Sequence, residues 1–267
     1  MITLLPALVV GLAAIVIVPM WWQRPSVAWL GALLTVGLVL PHGVIAAAST
    51  LPWLGLVVAT ALRVVAEIRM PVRSERAAHV AAHLFLIVGA GSATIAAAGW
   101  QPLGYTQVII ILTAAHFHYA GFAFGMIASR TQRDHPSPVT TWLIAAWIVG
   151  VPLVAIGIAA NARVEPYGAV IVSIAGAALG WQLLRAARHH HTALLFVSGL
   201  SIMGAMVLAA GYGLAPALGF GWLDIMPMER IHGMLNALGF ALCATIGWRH
   251  ILDRRSEALE EAPCALV

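Results

Sequence analysis

The sequence AAHFHYAGFAFG, residues Ala114 to Gly125, lies inside a long apolar run that extends from Thr106 to Ser129. A run of this length suffices for a helix that crosses the hydrocarbon core of a bilayer, which takes about 20 residues. His116 would then lie near mid-depth, where an ionisable side chain is unfavourable and therefore marks a functional-site hypothesis. The stretch predicts a membrane helix that carries a polar site.

Composition extends the prediction of a membrane protein to the whole chain. Hydrophobic residues make up 61% of the 267 positions and charged residues 9%, and the mean hydropathy is +0.94. Such a chain has too few polar groups to cover a water-exposed surface. Because apolar runs recur along the sequence, we predict an all-α, polytopic transmembrane helix bundle. No basic patch with interleaved aromatic residues occurs, which argues against nucleic acid as a partner. The two cysteines, Cys243 and Cys264, indicate neither a disulfide framework nor a cysteine-based metal site.

The apolar runs predict about nine spans, and the first run is read as a retained span rather than a signal peptide. Their approximate bounds are Ile2 to Val18, Val27 to Ala47, Leu51 to Ala66, Ala77 to Ala98, Thr106 to Ser129, Thr140 to Ala160, Gly168 to Ala186, Thr192 to Leu214 and Ile231 to His250.

The arginines predict the orientation of these spans. All 14 basic residues are arginines, and all except Arg163 and Arg230 fall in cytoplasmic segments if the N-terminus is outside. This bias is the one that the positive-inside rule describes. We therefore predict an N-out, C-in topology, with residues 1–250 as a single transmembrane domain and 251–267 as a short cytoplasmic tail.

The fifth span is expected to lie at the centre of the bundle. On a helix with 100° per residue, His116 and Tyr119 project to one side, whereas His118, Gly121 and Gly125 project to nearly the opposite side. The two glycines form a GxxxG spacing, which allows a neighbouring backbone to approach closely. Both sides of this helix should then face protein. The alternative role for the histidines is structural packing, with a backbone carbonyl as hydrogen-bond partner.

The ninth span carries a second polar group of residues at its outer start. Glu229, His232 and Asn236 form one stripe, and Glu229-x-x-His232 has the i, i+3 spacing that carboxylate-bridged metal bundles use. The alternative is a helix-start glutamate that stabilises the helix dipole, with a structural histidine and asparagine behind it.

Topology suggests where these groups meet. Pro41-His42-Gly43 ends the second span near the outer face, and Ser49 to Pro52 is read as the turn before the third span. His42, His116 and the polar stripe of the ninth span could thus converge in a cavity that opens outward. We predict that His116 and His232 lie within about 12 Å of each other if this convergence is correct.

Histidines on the inner side are assigned lesser roles. His79 and His83 share a helix face at i, i+4. Such a pair resembles one histidine box of membrane di-iron desaturases, but the further boxes are missing, so the pair is read as interfacial, near Glu67 or lipid headgroups. His189 to His191 are read as a solvated cytoplasmic run.

Two segments together resemble a known family. HFHYAGF at residues 116–122 and HGMLNALGF at residues 232–240 resemble signature segments of the YndJ-like family of bacterial multi-spanning membrane proteins. The resemblance follows the order of the spans through most of the chain. It implies a shared fold, a bacterial inner-membrane location and a shared polar site formed by His116, His118, Tyr119, His232 and Asn236. It implies no reaction.

Three classes of function follow from these residues. The first is an intramembrane enzyme for a lipophilic small molecule, an isomerase, dehydratase or cyclase, in which His116 or His232 is the acid or base. Glu229 would orient a group or carry a proton, and Asn236 or Tyr119 would bind a substrate oxygen. No nucleotide loop or cofactor fingerprint is present, which suits chemistry without a cofactor or with a metal.

A metal-dependent oxidase or hydroxylase is a variant of the first class. Its zinc or iron would be held by His42, His116, Glu229 and His232. His116 and His118 project about 200° apart and cannot both bind one ion on a regular helix. The second class is a proton-coupled transporter or haem-handling protein, and the third is a membrane scaffold. Whether the chain acts alone or as an oligomer is left open by the sequence.

Overall fold

The chain folds as a helix bundle, and no strand occurs among the residues that the structure describes. The structure is a computed structural model that describes residues 4–68, 71–160 and 163–261; Arg69 and Cys264 lie outside these ranges. Within them, nine helices follow one another: α1 (Leu4–Trp22), α2 (Ala28–Val39), α3 (Val44–Ala66), α4 (Ser74–Ala98), α5 (Gln107–Asp134), α6 (Pro138–Ala160), α7 (Glu165–His190), α8 (Ala193–Leu218) and α9, from Ile225 to Glu261.

Helix length confirms the polytopic bundle. Eight of the nine helices in the described ranges are long and apolar enough to cross a membrane. The exception is α2, which together with the 3₁₀ turn before it covers Pro25–Val39. At 1.5 Å per residue this segment is roughly 20 Å long, shorter than a hydrocarbon core of about 30 Å.

The contacts at its ends show that α2 nevertheless connects the two faces of the bundle. Before α2, the indole of Trp21 donates a hydrogen bond of 2.9 Å to Thr245 of α9. After α2, the Gly43 amide donates to the Ala97 carbonyl at the end of α4, at 3.0 Å. The described ranges therefore contain nine successive helices, close to the predicted number of spans, and α2 is the one that is too short to span a bilayer by itself.

The boundary between α2 and α3 differs from the sequence prediction. The turn lies at residues 40–43, and Ser49 to Pro52 are helical residues inside α3. Gly43 takes a φ of 149°, a conformation that side chains other than glycine rarely allow. Pro52 is accommodated because membrane helices tolerate proline where neighbouring groups satisfy the freed carbonyl. The predicted turn at Ser49 to Pro52 was therefore wrong.

Three helix ends meet at one face of the bundle. Asp134 at the end of α5 accepts a hydrogen bond of 2.6 Å from His190 at the end of α7, and Arg255 of α9 pairs with it at 2.8 Å. These helices therefore run in the same direction, as an up-and-down arrangement of nine helices requires. That this face is cytoplasmic rests on the arginines and stays a prediction, as does the domain boundary at residue 250, which α9 crosses as a helix.

The GxxxG segment of α5 packs within the chain, against α4. A Cβ atom added at Gly121 would lie 2.8 Å from Cβ of Phe85, and one at Gly125 would lie 2.8 Å from Cβ of Ala82. The glycines thus allow the close approach that their spacing predicts. Within an apolar stretch of 18 residues taken from each long span, 61% is buried in α5, against 50% or less in the other seven. The α5 helix is therefore the central one.

Candidate functional site

Three π-helical segments from distant parts of the chain meet inside the bundle. They are Ala13–Ile17 in α1, Phe117–Ala123 in α5 and Leu235–Leu242 in α9, and each contacts the other two. The segment in α1 ends two residues before Pro19, which has no amide hydrogen to continue the regular helical ladder. Single π-turns are rare and often occur at functional sites. The segments in α5 and α9 coincide with the two polar stretches that the sequence singles out.

His116 and His232 form a stacked pair between α5 and α9. Their ring centroids are 6.2 Å apart and the ring planes are inclined by 24°. His116 is the last residue before the π-segment of α5, and His232 lies shortly before that of α9. The structure therefore brings together the two histidines whose convergence the topology suggested.

Backbone carbonyls orient both rings of the pair. Nδ1 of His116 lies 2.9 Å from the Leu112 carbonyl, and Nδ1 of His232 lies 3.0 Å from the Ala205 carbonyl of α8. A carbonyl only accepts hydrogen bonds, so each Nδ1 carries the proton and each Nε2 presents a lone pair. The side-chain amide of Asn236 donates to Nε2 of His232 at 3.1 Å, whereas Nε2 of His116 has no hydrogen-bond partner among the described residues.

The pair opens to the side of the bundle rather than into an enclosed outward cavity. His116 is exposed, and the apolar side chains of Ile231 and Leu238 near His232 in α9 are exposed by 49% and 41%. At this depth, the surface that they form would face lipid. A cleft of about 810 Å³ does occur, but at the other end of the bundle, lined by charged residues such as Glu67 and Arg133.

His118 and Tyr119 have partners other than the stacked pair. His118 is fully buried, stacks on Trp53 of α3 with ring centroids 6.4 Å apart, and donates from Nδ1 to the Ala114 carbonyl at 2.8 Å. Its Nε2 has no partner among the described residues. The Tyr119 hydroxyl donates to the Val9 carbonyl of α1 at 2.8 Å. Tyr119 therefore links α5 to α1, and its hydroxyl is engaged there.

Of the other residues predicted for the outer site, His42 lies away from the pair, whereas Glu229 lies near His232 on α9. His42 is exposed and lies 3.4 Å, Nε2 to Nε2, from Gln107 at the start of α5. Gln107 is nine residues from His116, roughly 13 Å along a helix. Glu229 lies one turn before His232, and its Oε2 is buried without a hydrogen-bond partner in the described ranges. The four predicted metal ligands, His42, His116, Glu229 and His232, are not gathered around one point.

An aromatic stack on the other side of α5 was missed by the sequence analysis. The indole of Trp22 donates to Nε2 of His83 at 3.1 Å, and the two rings stack. Trp22 also stacks on Trp53, which in turn covers His118. His83 is 2% exposed, so its interpretation as an interfacial residue was wrong. The signal was Trp21-Trp22 at the end of the first apolar run, since indole donors end membrane spans and need partners when buried.

A second histidine cluster, also missed, lies where α5, α7 and α9 end. Within the described parts of the chain, one group of three or more His, Cys, Asp or Glu side chains brings its ligand atoms within 4.8 Å of one another, namely His135, His189 and His190. Asp134 lies directly beside it. His189 to His191 are therefore not simply a solvated run. The sequence pattern that indicates the cluster also includes Asp134-His135, at the end of the fifth apolar run.

The fold and the polar residues define a multi-pass membrane protein with paired intramembrane histidines. The family model described as YndJ-like protein matches residues 1–240, and the chain belongs to this family. A curated relative, the "Uncharacterized membrane protein YndJ" of Bacillus subtilis (strain 168), is 31% identical over 161 residues. No solved structure matches the chain.

The relative is a much longer protein than the region it shares with this chain. The matched region covers 57% of this chain and 29% of the relative. Both polar segments of α5 and α9 fall largely inside the family match, since it ends at residue 240. The family match therefore covers both His116 and His232 of this chain.

Proposed function

We propose that this membrane protein is an intramembrane enzyme that acts on a lipophilic small molecule by histidine-centred acid–base chemistry, as an isomerase, dehydratase or cyclase. The observation that carries the proposal is the stacked pair of His116 and His232, in which both rings are oriented by the backbone and Nε2 of His116 is open. A packing role needs no open lone pair on an exposed imidazole within a membrane span.

The arrangement supports proton removal and return at one position. Nε2 of His116 would take a proton from a carbon next to a polarised group of the substrate, and the electron pair would shift into a new double bond. The same nitrogen would return the proton to a second carbon, so an isomerisation balances without an added reactant. Histidine suits both steps because its ordinary pKa lies near neutrality.

His232 and Asn236 would support the base rather than replace it. Nε2 of His232 is engaged by Asn236, so this ring is held in place beside His116. Hydrogen bonds are stronger in a dry site than in water. Glu229 has a buried, unpartnered carboxyl oxygen one turn away, and it would carry a proton to or from the pair. Tyr119 has no part in this scheme because it is bonded to Val9.

The lateral opening supports a substrate that arrives from the bilayer. His116 is exposed on a side of the bundle where neighbouring residues of α9 are apolar. A lipophilic molecule dissolved in the membrane could reach Nε2 without passing through water. A bacterial inner membrane as the location, membrane lipids as partners and action without nucleic acid belong to the same proposal.

The two alternative functions, a metal-dependent oxidase and a haem-handling protein, predict different properties of the purified protein. A metal-dependent oxidase that uses His42, His116, Glu229 and His232 requires His42, which contacts Gln107 at the outer end of α5. A haem-handling protein would absorb visible light after purification. Elemental analysis and an absorption spectrum of the purified protein, beside His116→Ala and His232→Ala, separate both alternatives from acid–base catalysis.

Exchange of solvent deuterium tests the proposed chemistry directly. Purified protein would be reconstituted with a lipid extract of the native host in D₂O, and the lipids would be followed by mass spectrometry. We expect wild-type protein to add deuterium to carbon positions of one lipophilic species, and His116→Ala to reduce this rate by at least 100-fold, the lower end of what a positioned base contributes.

His42→Ala is the matched control. It removes an exposed histidine that lies away from the stacked pair, so we expect the exchange rate to stay unchanged. A loss of activity in His42→Ala would favour the metal-dependent alternative. Equal lipid profiles and equal deuterium content for wild-type and His116→Ala protein would refute the proposed function.

A further inference from the structure

The cluster at the common end of α5, α7 and α9 is built like a transition-metal site. Ligand atoms of His135, His189 and His190 lie within 4.8 Å of one another. The ring centroids of His135 and His189 are 4.7 Å apart, as are those of His189 and His190. Three imidazoles this close are the donor set that Zn²⁺ prefers, with a fourth position for water or a carboxylate.

Asp134 supplies the support that metal-bound histidines usually have. Its side chain is 1% exposed, and its Oδ2 lies 2.6 Å from Nε2 of His190. A histidine that donates one ring nitrogen to a carboxylate is held in orientation and presents the other nitrogen to a metal. The hydrogen bond to Asp134 therefore leaves Nδ1 of His190 for the ion.

His135 adds a nitrogen that has no other use in the described parts of the chain. Its Nε2 is buried and forms no hydrogen bond, although Asp134 Oδ2 lies 3.3 Å away. A buried imidazole nitrogen without a hydrogen-bond partner is free to bind an ion.

Two of the arginines nearby are held by Asp134. Arg255 contacts its Oδ1 at 2.8 Å and Arg130 contacts the same atom at 3.4 Å. Both guanidinium groups thus occupy one carboxylate oxygen and leave the other on the side of the imidazoles. In a tetrahedral zinc site the ligand atoms are about 3.4 Å apart, so the rings must move closer by roughly 1 Å. The exposed ring of His189 has room for this movement.

We propose that His135, His189 and His190 bind one divalent transition metal ion of the zinc class, with Asp134 orienting His190. The ion would join the end of α5 to the end of α7, and Arg255 would extend the link to α9. This site is separate from the stacked pair of His116 and His232, and it does not depend on the function proposed for that pair.

Zinc binding to the purified full-length chain tests the site. The protein is prepared without a polyhistidine tag, stripped with a chelator and titrated with Zn²⁺ near pH 7.5 by calorimetry. We expect one ion per wild-type chain, and a thermal midpoint raised by on the order of 5 °C at about 100 times the dissociation constant. His135→Ala should weaken binding by at least 10-fold, and Asp134→Asn by about 10- to 100-fold.

His191→Ala is the matched control. It removes the neighbouring exposed histidine from the same run and should leave the affinity unchanged, as should His116→Ala in the membrane. Absence of stoichiometric binding to the wild-type chain would overturn the proposal. So would equal affinity of wild type and His135→Ala, since it would mean that the exposed histidine run alone chelates the ion.

Discussion

The imidazole rings of His116 and His232 stack with their centroids 6.2 Å apart, although they belong to the fifth and ninth helices of the described chain. Each ring is fixed by a hydrogen bond from Nδ1 to a backbone carbonyl. Since a carbonyl does not titrate, this anchoring holds the rings in one tautomer without adding a second charge. The pair is therefore arranged before any substrate arrives, which is the condition for efficient use of a base in a dry site.

The ring tautomers are directly testable. Four histidines of the spans place Nδ1 at 2.8–3.0 Å from a backbone carbonyl, namely His83, His116, His118 and His232. We expect ¹⁵N chemical shifts of ring-labelled protein to show all four as Nδ1–H tautomers, with single alanine variants for assignment. His191, which ends α7, should show the mixture found in water. An Nε2–H tautomer at His116 would contradict its role as a base.

The contact between Trp22 and His83 should appear as an energetic coupling. Trp22→Phe removes the donor and His83→Leu removes the acceptor, so each leaves one polar atom unpaired and should reduce the free energy of unfolding by about 1–3 kcal/mol. The double variant should lose less than the sum, with a coupling of about 0.5–2 kcal/mol. Unfolding in mixed detergent micelles measures all four proteins. Strictly additive losses would show that the hydrogen bond contributes nothing.

Close packing of α5 on α4 predicts opposite effects for two glycines. Gly121→Ala places a methyl group 2.8 Å from Cβ of Phe85, and we expect a loss of about 1–3 kcal/mol in unfolding free energy from overpacking. Gly91→Ala in α4 meets no atom within 4 Å, and it should be neutral or stabilise the helix by up to about 1 kcal/mol. Thermal unfolding of both variants provides the comparison. Equal midpoints for the two would exclude a tight α4–α5 contact.

Tyr119 is expected to matter for stability and not for chemistry. Tyr119→Phe removes the hydrogen bond to the Val9 carbonyl, which should cost about 1 kcal/mol of unfolding free energy. Deuterium exchange into the lipophilic substrate should continue at the wild-type rate. Tyr105→Phe is the control, because the Tyr105 hydroxyl is buried without a partner among the described residues and its removal breaks no bond. Loss of exchange in Tyr119→Phe would return this residue to the site.

Local sequence was sufficient for the class of fold, the number of spans and the central position of α5. Hydrophobic length is a property of each segment by itself, and the GxxxG spacing of Gly121 and Gly125 identifies a packing face without knowledge of the partner. The polar residues His116 and His232 were recognisable for the same reason, because an ionisable residue in an apolar run is unusual wherever the rest of the chain lies.

Tertiary structure decided which of these residues meet. The helical projection at 100° per residue placed Tyr119 on the side of His116, but it did not reveal that the hydroxyl bonds to Val9 of α1, or that residues 117–123 form a π-turn with more residues per turn. The partners of His83 and His135 come from Trp22 on α1 and from the end of α7, and no local pattern specifies which helices become neighbours. The sequence by itself determined the eight long apolar segments, since hydrophobic length depends on the segment alone, whereas the placement of the short α2 depends on its contacts. Packing of distant segments creates the stacked histidine pair, the hydrogen bond from the Trp22 indole to His83, and the histidine cluster at the helix ends.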